Sequence, residues 1–150
     1  MKREENKNNI NSEDDELLSY QDEYIELNSM RLKINKYYLP FLQSKEIPVS
    51  KINDIKLVEL NLFNGKYKLI GLDLNLVYYH LDKKRSSKSY AITLQEEGNL
   101  FTIGITPENP MKCFNALKYL MNHKNNNNEL LSKENENGLL KDMNLKQKIN

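Results

Sequence analysis

The sequence predicts a mainly β domain, with about seven strands in two antiparallel sheets closed by one C-terminal helix. Three observations lead there. Between Ile25 and Ile105 apolar and polar residues alternate in short runs, and turn-forming residues separate those runs. After Asn109-Pro110 the apolar spacing changes to that of a helix. A chain of 150 residues suits one such domain with extensions.

Each element follows from its own residues. Ile25 and Leu27 alternate with Glu26 and Asn28, Asn28-Ser29 turns the chain, and Leu32 and Ile34 alternate with Arg31, Lys33 and Asn35. This predicts a half-buried hairpin with its basic residues facing water. Pro40 ends the extended pattern, and a loop is expected to lead to Ile47-Pro48-Val49. From Asn53 to Phe63 the apolar phase slips: Ile55 and Leu57 fall on one face, Val58, Leu60 and Leu62 on the other. Such a slip predicts a bulge, or a strand that bends from one sheet into the other. Asn64-Gly65 predicts a tight hairpin turn. The expected return strand carries Ile70, Leu72 and Leu74, with a kink or close approach at Gly71.

Leu76 to Asp82 reads as a strand apolar on both faces, followed by the polar loop Lys83-Lys84-Arg85-Ser86-Ser87-Lys88. Tyr90, Ile92 and Leu94, then Phe101, Ile103 and Ile105, form two more alternating strands around a turn at Glu97-Gly98-Asn99. Asn109 is a suitable N-cap and Pro110 a suitable first helical residue. Cys113, Phe114, Leu117, Leu120 and Met121 then line one helical face, opposite Lys112, Asn115, Lys118 and Asn122. That stripe is expected to lie on the open end of the two sheets.

The ends differ in character. Residues 1–22 form an acidic, Asn-rich leader and residues 125–150 an Asn- and Lys-rich tail, both expected to be disordered around a domain at 23–124. Leu139, Leu140 and Met143 could make one apolar helical turn, too short to stand alone. Formal charge is −5 over residues 1–23, +5 over 24–121 and +1 over 122–150. A mildly basic body with an acidic leader is far from the footprint of a nucleic-acid-binding domain, and no nucleic-acid partner is expected.

No apolar targeting segment follows Met1 and no apolar run is long enough to span a bilayer, so a cytoplasmic or nuclear protein without a transmembrane segment is expected. The single Cys113 makes no internal disulfide and sits on the apolar side of the helix.

Catalytic chemistry is not expected. His80 stands between Tyr79 and Leu81 with Asp82 as its near neighbour, and reads as a partly exposed structural histidine. Asp73 and Asp82 lack paired-carboxylate spacing, and there is no phosphate-binding glycine loop, nucleophile elbow, metal motif or cofactor signature. Tyr37, Tyr38 and Phe41 cluster at the end of the hairpin and read as barrel packing. The candidate anion-binding residues are Arg31 and Lys33 on the outward face of the second strand, together with Lys83, Lys84, Arg85 and Lys88 in the polar loop.

Several segments, taken in order, resemble bacterial-type pleckstrin-homology-like small domains. They are Ile47-Pro48-Val49-Ser50-Lys51-Ile52 with Asp54-Ile55, then Gly71, then Asp82-x-x-Arg85 with Ser87-Lys88. The last is Ile103-x-Ile105-Thr106-Pro107-Glu108-Asn109-Pro110. The chain departs from that family at Val77-Tyr78-Tyr79, where members often carry tryptophan. The resemblance implies a partly open barrel of two near-orthogonal sheets plugged by a helix. It implies little about function, which fold alone does not give. Three functions are therefore ranked in order: a protein-interaction module whose partner reads a sheet edge or the groove beside the helix, then a peripheral module binding acidic lipid headgroups through the basic residues, and, a distant third, an enzyme of unknown class.

Overall fold

The computed structural model describes residues 19–38 and 40–123. The expected disorder of residues 1–18 and of the tail, and the turn at Leu139, Leu140 and Met143, lie outside the described residues. Residues Tyr20–Asp22, assigned above to the leader, belong to the domain. Tyr20–Gln21 is strand β1, paired antiparallel with β2 (Ile25–Leu27).

The first hairpin is the expected one. Asn28 Oδ1 accepts the backbone N–H groups of Met30 and Arg31, each at 2.9 Å, which closes the turn. It joins β2 to β3 (Arg31–Tyr38) in the register Ile25↔Ile34 and Leu27↔Leu32, and all four side chains are buried. The expected loop before Ile47 is instead strand β4 (Gln43–Pro48), which completes a sheet of order β1-β2-β3-β4. Gln43-Ser44-Lys45-Glu46 has no apolar alternation to betray a strand. Backbone pairing with β3 and the cross-strand ion pair Arg31–Glu46, at 2.9 Å, define it.

The second sheet has the order β5-β8-β9-β7-β6, from β5 (Ile52–Glu59), β6 (Gly71–Leu72), β7 (Val77–Tyr79), β8 (Tyr90–Glu96) and β9 (Thr102–Ile105). Nine strands are thus found among the described residues, two of them only two residues long. The β7–β9 pair is parallel, and the other strand pairs are antiparallel. The chain leaves β7 through residues 80–89 and enters β8 on the far side of β9, so the later β9 fills the gap between them.

The phase slip in β5 has a clear cause. Its irregular register lies at Ile52/Asp54, near its start. Ile55 and Leu57 pack on the main core between the sheets, whereas Val58 packs with Leu60, Val77, Tyr79 and Ala91 in a second core on the other face. One strand serves two cores. The expected tight Asn64-Gly65 hairpin is a wider excursion, because Asn64 is held elsewhere: its Oδ1 accepts the N–H of Asn61 at 2.6 Å and its Nδ2 donates to the Glu59 carbonyl. The expected return strand shrinks to Gly71–Leu72. Gly71 is required for its backbone (φ +101°), not for close approach, since a side chain there would meet nothing.

Helix α1 spans residues 110–123. Asn109 Oδ1 caps it by accepting the Lys112 N–H at 3.0 Å. Cys113, Ala116, Leu117 and Leu120 are buried in the main core, with Phe114 and Met121 packed at its margin. The helix start is anchored by the residues thought to be leader. Asp22 Oδ2 accepts the Glu108 N–H at 2.8 Å, and the Tyr20 hydroxyl accepts the Asn109 N–H at 3.0 Å while donating to Asp22 at 2.7 Å.

Candidate functional site

The polar loop after β7 folds inward. Lys84 N–H donates to Asp82 Oδ1 at 2.8 Å, and a short 3₁₀ turn at Arg85–Ser87 follows. That turn buries Arg85 to 1 % exposure, which corrects its assignment to an exposed anion site. Its guanidinium donates to the carbonyls of Lys68 (2.8 Å), Leu69 (3.4 Å) and His80, and lies 4.5 Å from the centre of the Tyr79 ring. Burial lowers its pKa to about 10, so it stays charged at neutral pH. Lys88 is also withdrawn: its ammonium meets Asp82 at 2.8 Å and donates to the Thr106 carbonyl.

His80, Asp82 and Thr106 complete this polar knot, all with no exposed surface. His80 was expected to be partly exposed. Its Nδ1 is 3.1 Å from the Leu81 carbonyl and its Nε2 accepts the Thr106 N–H at 3.2 Å, which assigns the proton to Nδ1. Burial and the nearby Arg85 charge lower its pKa to about 4. The Thr106 hydroxyl donates to Asp82. Burial opposes ionisation of Asp82, but the bonds from Lys88, Thr106 and the Lys84 N–H outweigh it and hold the carboxyl below its usual range. A hydroxyl, an imidazole and a carboxylate do meet here, but Asp82 bonds the hydroxyl rather than orienting the imidazole, and all three are buried.

The remaining predicted cations are dispersed. Arg31 pairs with Glu46 and Lys33 with Glu26 at 3.0 Å, both on the first sheet. Lys84 lies 3.7 Å from Glu108. Lys83 is exposed. The cation that approaches the loop from the first sheet is Lys36, 4.9 Å above the Tyr24 ring and paired with Glu23 at 3.1 Å. Among the described residues no group of three or more His, Cys, Asp or Glu could hold a metal ion.

An open groove lies where the two sheets approach each other. Tyr37 and Tyr38 of β3, Lys45 of β4, Tyr78 of β7 and the turn residues Asn99 and Phe101 line about 280 Å³. Tyr37 packs at 4.9 Å from Tyr38, edge to face, and at 4.9 Å from Tyr78. Lys45 crosses from the first sheet to Glu96 of the second at 2.7 Å, with both side chains mostly buried. Burial works against the Lys45 ammonium, but its bonds to Glu96 and Tyr38 prevail and raise its pKa. Tyr37 is buried, as barrel packing requires, whereas Tyr38, Phe101 and the nearby turn residues Phe41 and Leu100 are exposed, the last at 92 %. The sequence missed this groove because Tyr78, Asn99 and Phe101 join Tyr37 only through the tertiary fold. The run of aromatics at Tyr37-Tyr38 was its one local signal.

Among the described residues these elements define a mainly β fold of two sheets, forming no closed barrel, with one helix over the core. No helix among the described residues is long and apolar enough to cross a membrane. Comparison of the chain with known protein families, characterised proteins and solved structures returned no match.

Proposed function

We propose that the chain is a non-catalytic binding module of pleckstrin-homology-like type. Its partner is another protein, which presents an extended, apolar-rich peptide segment to the aromatic groove. The groove itself carries this reading. Rigid aromatic side chains around a concavity, with further apolar residues at its margin, are the usual anchors of protein recognition. A volume of about 280 Å³ falls just under the ~300–1,000 Å³ of small-molecule sites, so it suits a few side chains of a peptide better than a whole cofactor. Acidic lipid takes second place because Arg31, Lys33, Lys36, Lys84 and Lys88 each face a carboxylate. Catalysis is set aside because the titratable groups that meet are sealed from solvent and occupied by structural bonds. The buried thiol Cys113, whose pKa burial raises, fits a reducing interior such as cytoplasm or nucleus.

The test is selection from a random peptide library on the whole chain, with Phe101→Ser and Tyr38→Ser as counter-baits. Enriched peptides should carry apolar or aromatic residues and should lose at least about tenfold in affinity on both variants. Failure to enrich, or equal binding to the variants, would overturn the groove reading. Sedimentation with anionic vesicles, compared with neutral ones, decides for the lipid alternative if the chain pellets only with the former.

A further inference from the structure

The two sheets have four edges, and three are blunted. Strands β1 and β6 are two residues long, and β4 ends in Pro48. The fourth, β5, runs eight residues from Ile52 to Glu59 without proline and pairs only with β8 among the described residues. Its side chains are exposed at Asn53, Asp54, Lys56 and Glu59 and half-buried at Ile55, Leu57 and Val58. A lone lysine on such an edge would protect it from pairing. Here Lys56 stands two residues from Asp54 on the same face, the two 3.2 Å apart and respectively 72 % and 58 % exposed.

We propose that β5 is a self-recognition edge, on which a second copy of this chain pairs antiparallel about a two-fold axis through Ile55. The reasoning is one of register. Residues directly opposite in an antiparallel pair point to the same face, so a two-fold axis must set one residue opposite itself. Centring on Asp54 opposes two carboxylates, and centring on Lys56 opposes two ammonium groups. Centring on Ile55 instead sets Asp54 opposite Lys56 of the partner subunit, and Lys56 opposite Asp54 of the partner subunit. The four charges then alternate in a ring. Ile55 meets Ile55 of the partner subunit. Of the three central registers, this one alone is free of like-charge opposition, and it joins two five-stranded sheets into one continuous sheet. The surface shares no residue with the aromatic groove, so this inference does not depend on the peptide reading.

Sedimentation velocity of the whole chain from micromolar to millimolar concentration tests it. Wild type should dimerise reversibly, more weakly as salt rises. Asp54→Lys and Lys56→Asp each oppose like charges twice and should weaken dimerisation by about tenfold or more. The double variant Asp54→Lys/Lys56→Asp should recover it, and an equimolar mixture of the two single variants should form heterodimers more tightly than either associates alone. Both side chains face solvent, so all variants should keep the wild-type thermal melt, which is checked first. A wild type that stays monomeric throughout overturns the proposal. So do single reversals that leave the dimer unchanged, and folded variants whose mixture fails to pair.

Discussion

Two neighbouring loops invert what their compositions suggest. Residues 61–76 are rich in large apolar side chains, yet Leu62, Phe63, Tyr67, Leu69, Leu74 and Leu76 are all exposed. Residues 80–88 are polar and charged, yet His80, Asp82 and Arg85 are buried. The two are coupled: Arg85 donates to the carbonyls of Lys68 and Leu69, and the Leu69 carbonyl also accepts the Asp82 N–H at 3.0 Å. The excursion between β5 and β7 has almost no ladder of its own, so its carbonyls need donors from elsewhere. The polar loop supplies them. Hydropathy ranks side chains and is blind to this backbone demand, and here the demand decides which loop goes inside.

Breaking the coupling should cost most. Arg85→Ala strands the carbonyls of Lys68 and His80, removes one of the two donors to Leu69 and uncovers the Tyr79 ring, for an expected loss of about 3–5 kcal/mol in urea unfolding. Hydrogen exchange should also quicken across residues 61–76. A loss below about 1 kcal/mol would mean that the apolar loop holds its own shape. Gly104→Ala comes next. A methyl group there would overlap the ring of the fully buried Tyr79, and the expected cost is about 3 kcal/mol, read as a lower urea midpoint. Partial rescue by Tyr79→Leu would localise the clash.

Acid sharpens the comparison further, because the polar loop carries two buried groups, His80 and Asp82, whose protonation folding shifts. His80 has a folded pKa of about 4 against an ordinary value of 6.5, so its neutral form is favoured by folding. Its contribution is full above pH 6.5 and is lost as pH falls from 6.5 to about 4, a change on the order of 3 kcal/mol. Asp82, held below its ordinary 3.8, keeps its contribution down to that value and loses it as pH falls further. Urea unfolding at pH 7.5, 5.5 and 4.5 should show the loss, and His80→Gln should flatten it. Equal slopes for the two proteins would remove His80 from the account. The smallest effect belongs to the apolar loop, where Leu62→Ser and Phe63→Ser should each change stability by less than about 0.5 kcal/mol. A larger loss would show that these side chains are covered in solution.

The first hairpin and the helix were legible because each is specified within a few residues. Asn28 closes one and Asn109-Pro110 starts the other, and the period of the apolar residues names the type of element. Strand β4 was not legible, since its polar side chains leave backbone pairing with β3 as its only signature. The burial of Arg85 and the withdrawal of Lys88 were not legible for a related reason. A cation in a polar sequence reads as solvated, and the carboxylates that face Lys33, Lys84 and Lys88 are Glu26 on the neighbouring strand, Glu108 before the helix and Asp82 at the start of the same loop. The Asp82-x-x-Arg85 spacing marked a structured turn but not the direction in which the arginine points.

By itself, then, the sequence determined a mainly β domain with one helix, the hairpin register at Ile25, Leu27, Leu32 and Ile34, and the helical face at Cys113, Leu117 and Leu120. Each of these follows from local periodicity and local turn chemistry. Only the tertiary structure decided the parallel meeting of β7 with β9, the inward turn of Arg85, the clamp of Tyr20 and Asp22 on the helix start, and the aromatic groove. These depend on where a backbone carbonyl, a ring or a charge from a distant segment comes to rest, and burial and hydrogen-bond satisfaction settle that across the whole fold at once.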